Sequence, residues 1–187
     1  MSWSKRVFDL VLACLLLPLT SPLLVLLPIL IRATSRGPAL HWSNRVGRDN
    51  RIFRMPKFRS MRIDTPELPT HLLPNPERYL TPIGCLLRKT SLDELPQILN
   101  VLSGEMSFVG PRPIVRAEAV KYAERFPYYL SAVPGITGLW QVSGRCDVSY
   151  EARTLLDETY VCKWSMVRDL WILCRTPRAV VNSNGAY

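Results

Sequence analysis

Apolar positions are spread unevenly along this 187-residue chain. From Leu10 to Ile31 the run LVLACLLLPLTSPLLVLLPILI holds 22 positions without a charge. As a straight helix it would reach about 33 Å, enough to cross the hydrocarbon of a bilayer. Pro18, Pro22 and Pro28 interrupt it, each removing an N–H and crowding the carbonyl four residues back. Thr20 and Ser21 stand just before Pro22, where a hydroxyl can bond a freed carbonyl that hydrocarbon cannot serve. Lys5 and Arg6 precede the run, and Arg32 and Arg36 follow it. Both flanks therefore carry the positive charge that marks the cytoplasmic side. A helix–break–helix hairpin bent at Thr20-Ser21-Pro22 satisfies both flanks. A kinked single span is the alternative, because prolines are tolerated in spanning helices. The run is longer than a signal-peptide core, and no clear small-residue cleavage site follows it.

Beyond the run the pattern turns to short elements. Residues 37–62 read as short strands around a turn at Arg48-Asp49-Asn50, where Asn50 tolerates a left-handed backbone. Residues 64–82 carry five prolines and read as an irregular loop. Residues 83–103 predict helix in two pieces. SFVGPRP, 107–113, breaks into a turn, and 114–130 shows helical periodicity. VPGITGLWQVSGR, 133–145, reads as loop with tight turns at Pro134-Gly135 and Gly138. Helix returns over 149–175 and ends before Pro177. The last ten residues read as frayed. There is no internal repeat, no interdomain linker and no second apolar run of membrane length.

Composition narrows the function. Hydrophobic residues make up 48% and charged residues 21%, which supports a packed core. The net charge of +9 asks for an anionic partner: nucleic acid, anionic lipid or a phosphorylated small molecule. Nucleic acid ranks last, because no recognition motif is present. The five cysteines show no CxxC or paired spacing, so a disulfide framework or zinc site is not expected and a reducing compartment fits. His41 and His71 read as surface or packing residues. Arg45, Arg48, Arg51, Arg54, Lys57, Arg59 and Arg62 crowd one stretch, most of them as a solvated or lipid-facing basic surface. On alternating strand positions Lys57 and Arg59 share a face.

The stretch TSLDELPQ, 90–97, sets two carboxylates side by side. Ser91 and Glu94 fit a capping box at a helix start, with Asp93 in the first turn and Pro96 just beyond. The chemical reading is that an ionised Asp93 attacks phosphorus or holds a magnesium ion. Such an attack needs cations nearby to offset like-charge repulsion. Arg88, Arg112 in its rigid Pro111-Arg112-Pro113 setting, and Lys57 are the candidates. Neighbouring side chains on a helix point about 100° apart, so Asp93 and Glu94 should not face one atom. Glu94 stays open between helix cap, metal ligand and base. Two functions compete: an enzyme of phosphate chemistry, and a non-catalytic membrane-anchored adaptor with a lipid-binding basic face.

The motifs in order are KRVFD (5–9), the apolar run with its Ser21-Pro22, RVG (45–47), KFRSMR (57–62), LLRKTSLDELPQILNVLSGEMSFVGPRP (86–113) and PGITGLWQVSGR (134–145). Asp157, Tyr160 and Asp169 fit a looser C-terminal pattern. Together they resemble the bacterial sugar transferases, in particular the small monotopic polyprenyl-phosphate phosphoglycosyl transferases. The resemblance implies an α+β, mainly helical fold. It would have an N-terminal re-entrant membrane helix hairpin broken at Ser21-Pro22 (residues 1–36) and a small catalytic domain with short strands and interfacial helices (37–187). The catalytic domain would lie on the cytoplasmic face of the bacterial inner membrane.

It further implies transfer of a phospho-sugar from a UDP-sugar to polyprenyl phosphate, with UMP released, as the first membrane step of surface glycan synthesis. By similarity Asp93 is the nucleophile that forms a covalent phospho-sugar, and Glu94 supports it. Both carboxylates are the candidate Mg2+ ligands. Lys57, Arg59, Arg88, Pro111, Arg112, Gln141 and Arg145 are the candidate substrate-binding residues. The stretch 61–73 looks like members that use N-acetylated amino sugars. Membrane lipid is an expected partner, a homodimer is left open, and nucleic acid is not expected. The chain departs from the usual pattern at Asn44 and Asn50, near the places of a Gln and a turn Gly.

Overall fold

A computed structural model describes residues 2–66, 73–144 and 148–181. His71, Arg145, Cys146 and residues 67–72 of the 61–73 stretch lie outside these residues. The protein is mainly helical, with two small sheets. The apolar run forms one helix, α1 (Trp3–Thr34), which continues through Pro18, Pro22 and Pro28. The chain stays helical at Thr20-Ser21-Pro22, so the expected break is not seen there. Ser21 acts as expected: its Oγ donates to Pro18 O at 2.8 Å, the carbonyl that Pro22 leaves without its helical partner. Thr20 Oγ1 donates to Leu16 O at 2.8 Å.

Only the two ends of α1 are buried. Lys5, Asp9 and Ala13 pack at one end and Leu27 and Ile31 at the other. Between them Leu16, Leu17 and Leu24 pack partly against the core, while Leu15, Leu19 and Val25 are more than 60% exposed, which leaves one apolar face of the middle uncovered. At the first end, Lys5 Nζ lies 2.6 Å from Asp169 Oδ2, and the Tyr160 hydroxyl donates to Asp169 Oδ1 at 2.7 Å. Asp9 accepts from Ser107 Oγ and Phe108 N–H. The KRVFD motif and the C-terminal Tyr160 and Asp169 thus meet in one buried polar cluster.

Strands β1 (Leu40–Val46) and β2 (Ile52–Phe58) form an antiparallel ribbon. Its turn holds Asp49 and Asn50 at φ 56° and 60°, the left-handed backbone expected of Asn50. Helix α2 (Gly84–Thr90), a 3₁₀ segment (Leu92–Gln97) and α3 (Ile98–Ser103) follow. The turn expected at 107–113 begins instead with strand β3 (Ser107–Val109), and the loop expected at 133–145 contains strand β4 (Gly135–Thr137). These pair in parallel because Gly110 and Gly135 let two backbones touch: a Cβ on Gly135 would lie 2.1 Å from Gly110 N.

Residues 116–125 are 3₁₀ rather than α-helix, broken at Ala123, and α4 (Phe126–Ser131) continues them. Then come α5 (Leu139–Val142), α6 (Tyr150–Cys162) and α7 (Met166–Val181). Helix α7 runs through Pro177 instead of ending before it, at the cost of one backbone hydrogen bond. Cys14, Cys85, Cys162 and Cys174 are free thiols. The central core joins Ala13 of α1 to Phe53, Met55, Ile98, Val101, Phe108, Tyr160 and Ile172. It fixes β2, the 3₁₀ segment and β3 against one another.

Candidate active site

Helix α2 stops at Ser91, whose φ of 57° is left-handed, and the chain turns at once into the 3₁₀ segment. Ser91 makes no side-chain cap bond, so the capping box is not formed. The Glu94 carboxylate turns instead to β2, where it accepts from Lys57 Nζ at 2.6 Å. Asp93 is 8% exposed, beside Lys57, Glu94 and Arg88. Burial pushes its carboxyl up to about 6; Lys57 and Arg88 pull it down, and Glu94 pushes it up. Arg88 is held by Ser60, its Nε donating to Ser60 Oγ at 3.1 Å. Gly84 makes that possible: α2 sits so close to the 60–61 backbone that a Cβ there would meet Ser60 O at 2.1 Å.

A narrow cleft opens on the other side of Glu94. Arg45, Lys57, Glu94, Gln97, Arg112 and Gln141 line it, over Met55, Pro113 and Gly135. Arg45 donates to Pro113 O at 3.3 Å, which ties β1 to the Pro111-Arg112-Pro113 stretch. Pro111 is buried, and its carbonyl accepts from Gly135 N–H at 2.8 Å. Gly138 meets Gly110 O as tightly as Gly135 meets Gly110 N, which brings Gln141 beside Arg112. Three cations therefore face one carboxylate, an excess of positive charge suited to a phosphate group. Burial, with Arg112 as a like-charged neighbour, pulls the Arg45 guanidinium down.

A second, mostly apolar cavity of about 180 Å³ meets the cleft at Glu94, Ile136 and Gln141. Leu16 and Thr20 from the exposed middle of α1 line it, with Leu95, Ile98, Phe108 and Val180. A cationic cleft and an apolar groove thus share one wall.

The expected site residues divide. Lys57, Glu94, Arg112 and Gln141 share the cleft, and Pro111 builds its wall. Asp93 and Arg88 stand behind Glu94 and line neither cavity. Arg59 does not share the cleft with Lys57; its guanidinium donates to Ser35 and Arg36 at the end of α1. Ser21 and Pro22 are exposed in the middle of α1. Arg45 and Gln97 are cleft residues that the motif reading passed over. Strand alternation from His41 through Ser43 to Arg45, opposite Lys57, Met55 and Phe53, would have placed Arg45 on the inner face. Among the described residues no group of three His, Cys, Asp or Glu stands ready to hold a metal. Asp93 and Glu94 fit a magnesium ion only as one or two ligands, with substrate oxygens and water supplying the others.

The cationic cleft, the carboxylate pair, the apolar groove and a helix of membrane length lie together. The chain belongs to the bacterial sugar transferase family, whose model matches residues 1–183. It is 43% identical to the undecaprenyl-phosphate galactose phosphotransferase of Salmonella typhimurium, over 98% of this chain and 41% of that protein. It is 41% identical to the exopolysaccharide production protein ExoY of Rhizobium meliloti, over 98% of this chain and 88% of ExoY. The UDP-glucose:undecaprenyl-phosphate glucose-1-phosphate transferase of Caulobacter vibrioides is 40% identical, over 98% and 72%. The chain spans about two fifths of the length of the Salmonella relative.

Proposed function

We propose that the protein transfers a sugar-1-phosphate from a UDP-sugar to a polyprenyl phosphate through a covalent intermediate on Asp93. The observation that carries this reading is the meeting of the cationic cleft and the apolar groove at Glu94, with Asp93 beside it. The nucleotide diphosphate lies in the cleft against Arg45, Lys57 and Arg112. The sugar-bearing phosphorus must pass Glu94 to reach Asp93, which lines neither cavity; Asp93 attacks it, the bond to the bridging oxygen breaks, and UMP leaves with that oxygen. The polyprenyl phosphate, its chain in the groove, then attacks the same phosphorus. The Asp93 carboxylate is released, and the product is a polyprenyl diphospho-sugar. Lys57 holds Glu94 in place and offsets the charge that gathers during both attacks. Asp93 or Glu94 would hold a magnesium ion, which when bound would supply positive charge against the phosphates.

Both ends of α1 pack against the same body, so a bend at Ser21-Pro22 in the membrane, where the helix is continuous here, would let it enter and exit on one face. That supports the re-entrant placement, with the site on the cytoplasmic side where UDP-sugars are made. A simple lipid-binding adaptor has no use for a walled cleft of three cations. Galactose and glucose are the sugars named in the relatives cited above, so both belong in the test beside an N-acetylated amino sugar.

The test is UMP release from UDP-galactose, UDP-glucose and UDP-N-acetylglucosamine with undecaprenyl phosphate and magnesium. Asp93→Asn should stop it, and mass spectrometry should find a phospho-sugar on Asp93 when lipid is withheld. Full turnover by Asp93→Asn would sink the nucleophile assignment. Cysteine labels near Lys5 and Arg32 that react from opposite sides of the membrane would rule out the re-entrant placement.

A further inference from the structure

Gln97 ends the 3₁₀ segment, three residues after Glu94. Side chains three apart eclipse in such a helix. The two therefore face the same way, and both line the cleft with Arg45, Lys57 and Arg112. Gln97 is 2% exposed, yet its Nε2 has no hydrogen-bond partner among the described residues. A buried N–H left unpaired destabilises the free protein, and the penalty disappears when a ligand accepts from it. Gln141, in the same cleft, spends its amide the other way. Its Nε2 donates to Ile136 O at 3.1 Å, and its buried Oε1 is left without a partner. Among the described residues the cleft thus holds a buried amide donor and a buried amide acceptor without partners. An ionised diphosphate has no proton to give, so only the Gln97 donor suits it.

We propose that Gln97 is a substrate-contacting residue. Its Nε2–H donates to a non-bridging phosphoryl oxygen of the nucleoside-diphosphate sugar held between Arg45, Lys57 and Arg112. The inference rests on the UDP-sugar reading above. A neutral donor has a physical advantage here: it binds phosphate without adding a fourth positive charge to a cleft where Arg45 and Arg112 already repel each other. Gln141 Oε1 then faces a hydroxyl of the same molecule.

Gln97→Met keeps the length of the side chain and removes the donor. Gln97→Glu sets a carboxylate against the phosphates. Three measurements on protein in lipid nanodiscs decide the matter: UDP binding, uridine binding and the unfolding temperature without ligand. Gln97→Met should bind UDP about 10- to 100-fold more weakly than wild type, the worth of one hydrogen bond to a charged group. It should bind uridine unchanged and unfold at the same or a higher temperature, because an unpaired buried amide is gone. Gln97→Glu should bind UDP more weakly still. Equal UDP binding by Gln97→Met and wild type overturns the proposal. A fall in unfolding temperature with equal loss of UDP and uridine binding also overturns it, since that is how a structural glutamine behaves. Failure of the UDP-sugar reading looks different: wild type itself neither binds UDP nor releases UMP, and this proposal falls with it.

Discussion

Replacing Lys57 with Met tests the electrostatics of the site most directly. Lys57 Nζ and Glu94 Oε1 are 2.6 Å apart, and their side chains are 20% and 22% exposed. Two unit charges about 4 Å apart attract by about 4 kcal/mol at an effective dielectric near 20. The same ammonium is the foremost charge that holds the Asp93 carboxyl down. The reaction needs Asp93 ionised, so kcat/KM for UMP release should fall as pH drops through the carboxyl's value, about 6 in wild type. In Lys57→Met that acid limb should move upward, because burial and Glu94 then act on Asp93 with one fewer opposing charge. Well above both limbs, a second loss should remain. One charge-assisted contact to phosphate is worth about 1.5–3 kcal/mol, or about 10- to 100-fold in kcat/KM. Lys57→Arg should restore the limb more fully than the rate, since it returns the charge and alters the geometry. A pH–rate profile at fixed magnesium separates the two effects. An acid limb that stays near 6 or moves down in Lys57→Met would refute the reasoning.

Three further outcomes follow from other parts of the structure. Burial pushes the Asp157 carboxyl up to about 7, against the pull of the Tyr122 hydroxyl at 2.7 Å and of Arg153. The native state therefore keeps this proton while the unfolded chain, near its ordinary value of about 3.9, has lost it. Stability should decline as pH rises from about 4 to 7, by up to about 4 kcal/mol from this group; Asp157→Asn should flatten that decline in denaturant melts, and parallel curves would count against it. Gly84→Ala should cost about 1–3 kcal/mol and lower the rate as well, because α2 must move off Ser60 and carry Arg88 with it; normal activity at normal stability would contradict this. Lys5→Met leaves Asp169, 0% exposed, without its cation and should cost about 3–5 kcal/mol. Adding Asp169→Leu should return much of that in thermal melts.

The features legible in the sequence were those with local causes. The charge-free run became α1, the Asp49-Asn50 turn took its left-handed backbone, and Ser21 capped the carbonyl that Pro22 abandoned. The misread elements depend on partners distant in the chain. Three-residue strands at 107–109 and 135–137 have no periodicity of their own; they exist because two glycines let their backbones meet. Ser91 and Glu94 have the spacing of a capping box, but a cross-chain lysine 37 residues earlier outbids Ser91 for the carboxylate. Arg59 matched a basic motif position, yet the end of α1 claims its guanidinium. Gln97 was hidden for the opposite reason: nothing local marks an amide as unpaired until the residues around it are known.

The placement of the dyad follows from the two substrates the reading requires. A UDP-sugar is too polar to enter hydrocarbon, and a polyprenyl chain is too apolar to leave it. The reacting phosphorus must therefore reach a boundary that both can approach. Glu94 and Gln141 line both the cationic cleft and the apolar groove, and the groove's outer wall is Leu16 and Thr20 of α1. A helix that crossed the membrane as a simple anchor would bring only one end to such a site. Here Lys5 and Asp9 are fixed at one end, Leu27 and Ile31 at the other, and the uncovered middle lies against the groove. Helix α1 is thus part of the wall of the candidate site. Substituting Leu16→Asp should then raise KM for the polyprenyl phosphate while leaving UDP binding intact. Equal KM values for the lipid would show that the groove does not hold the chain.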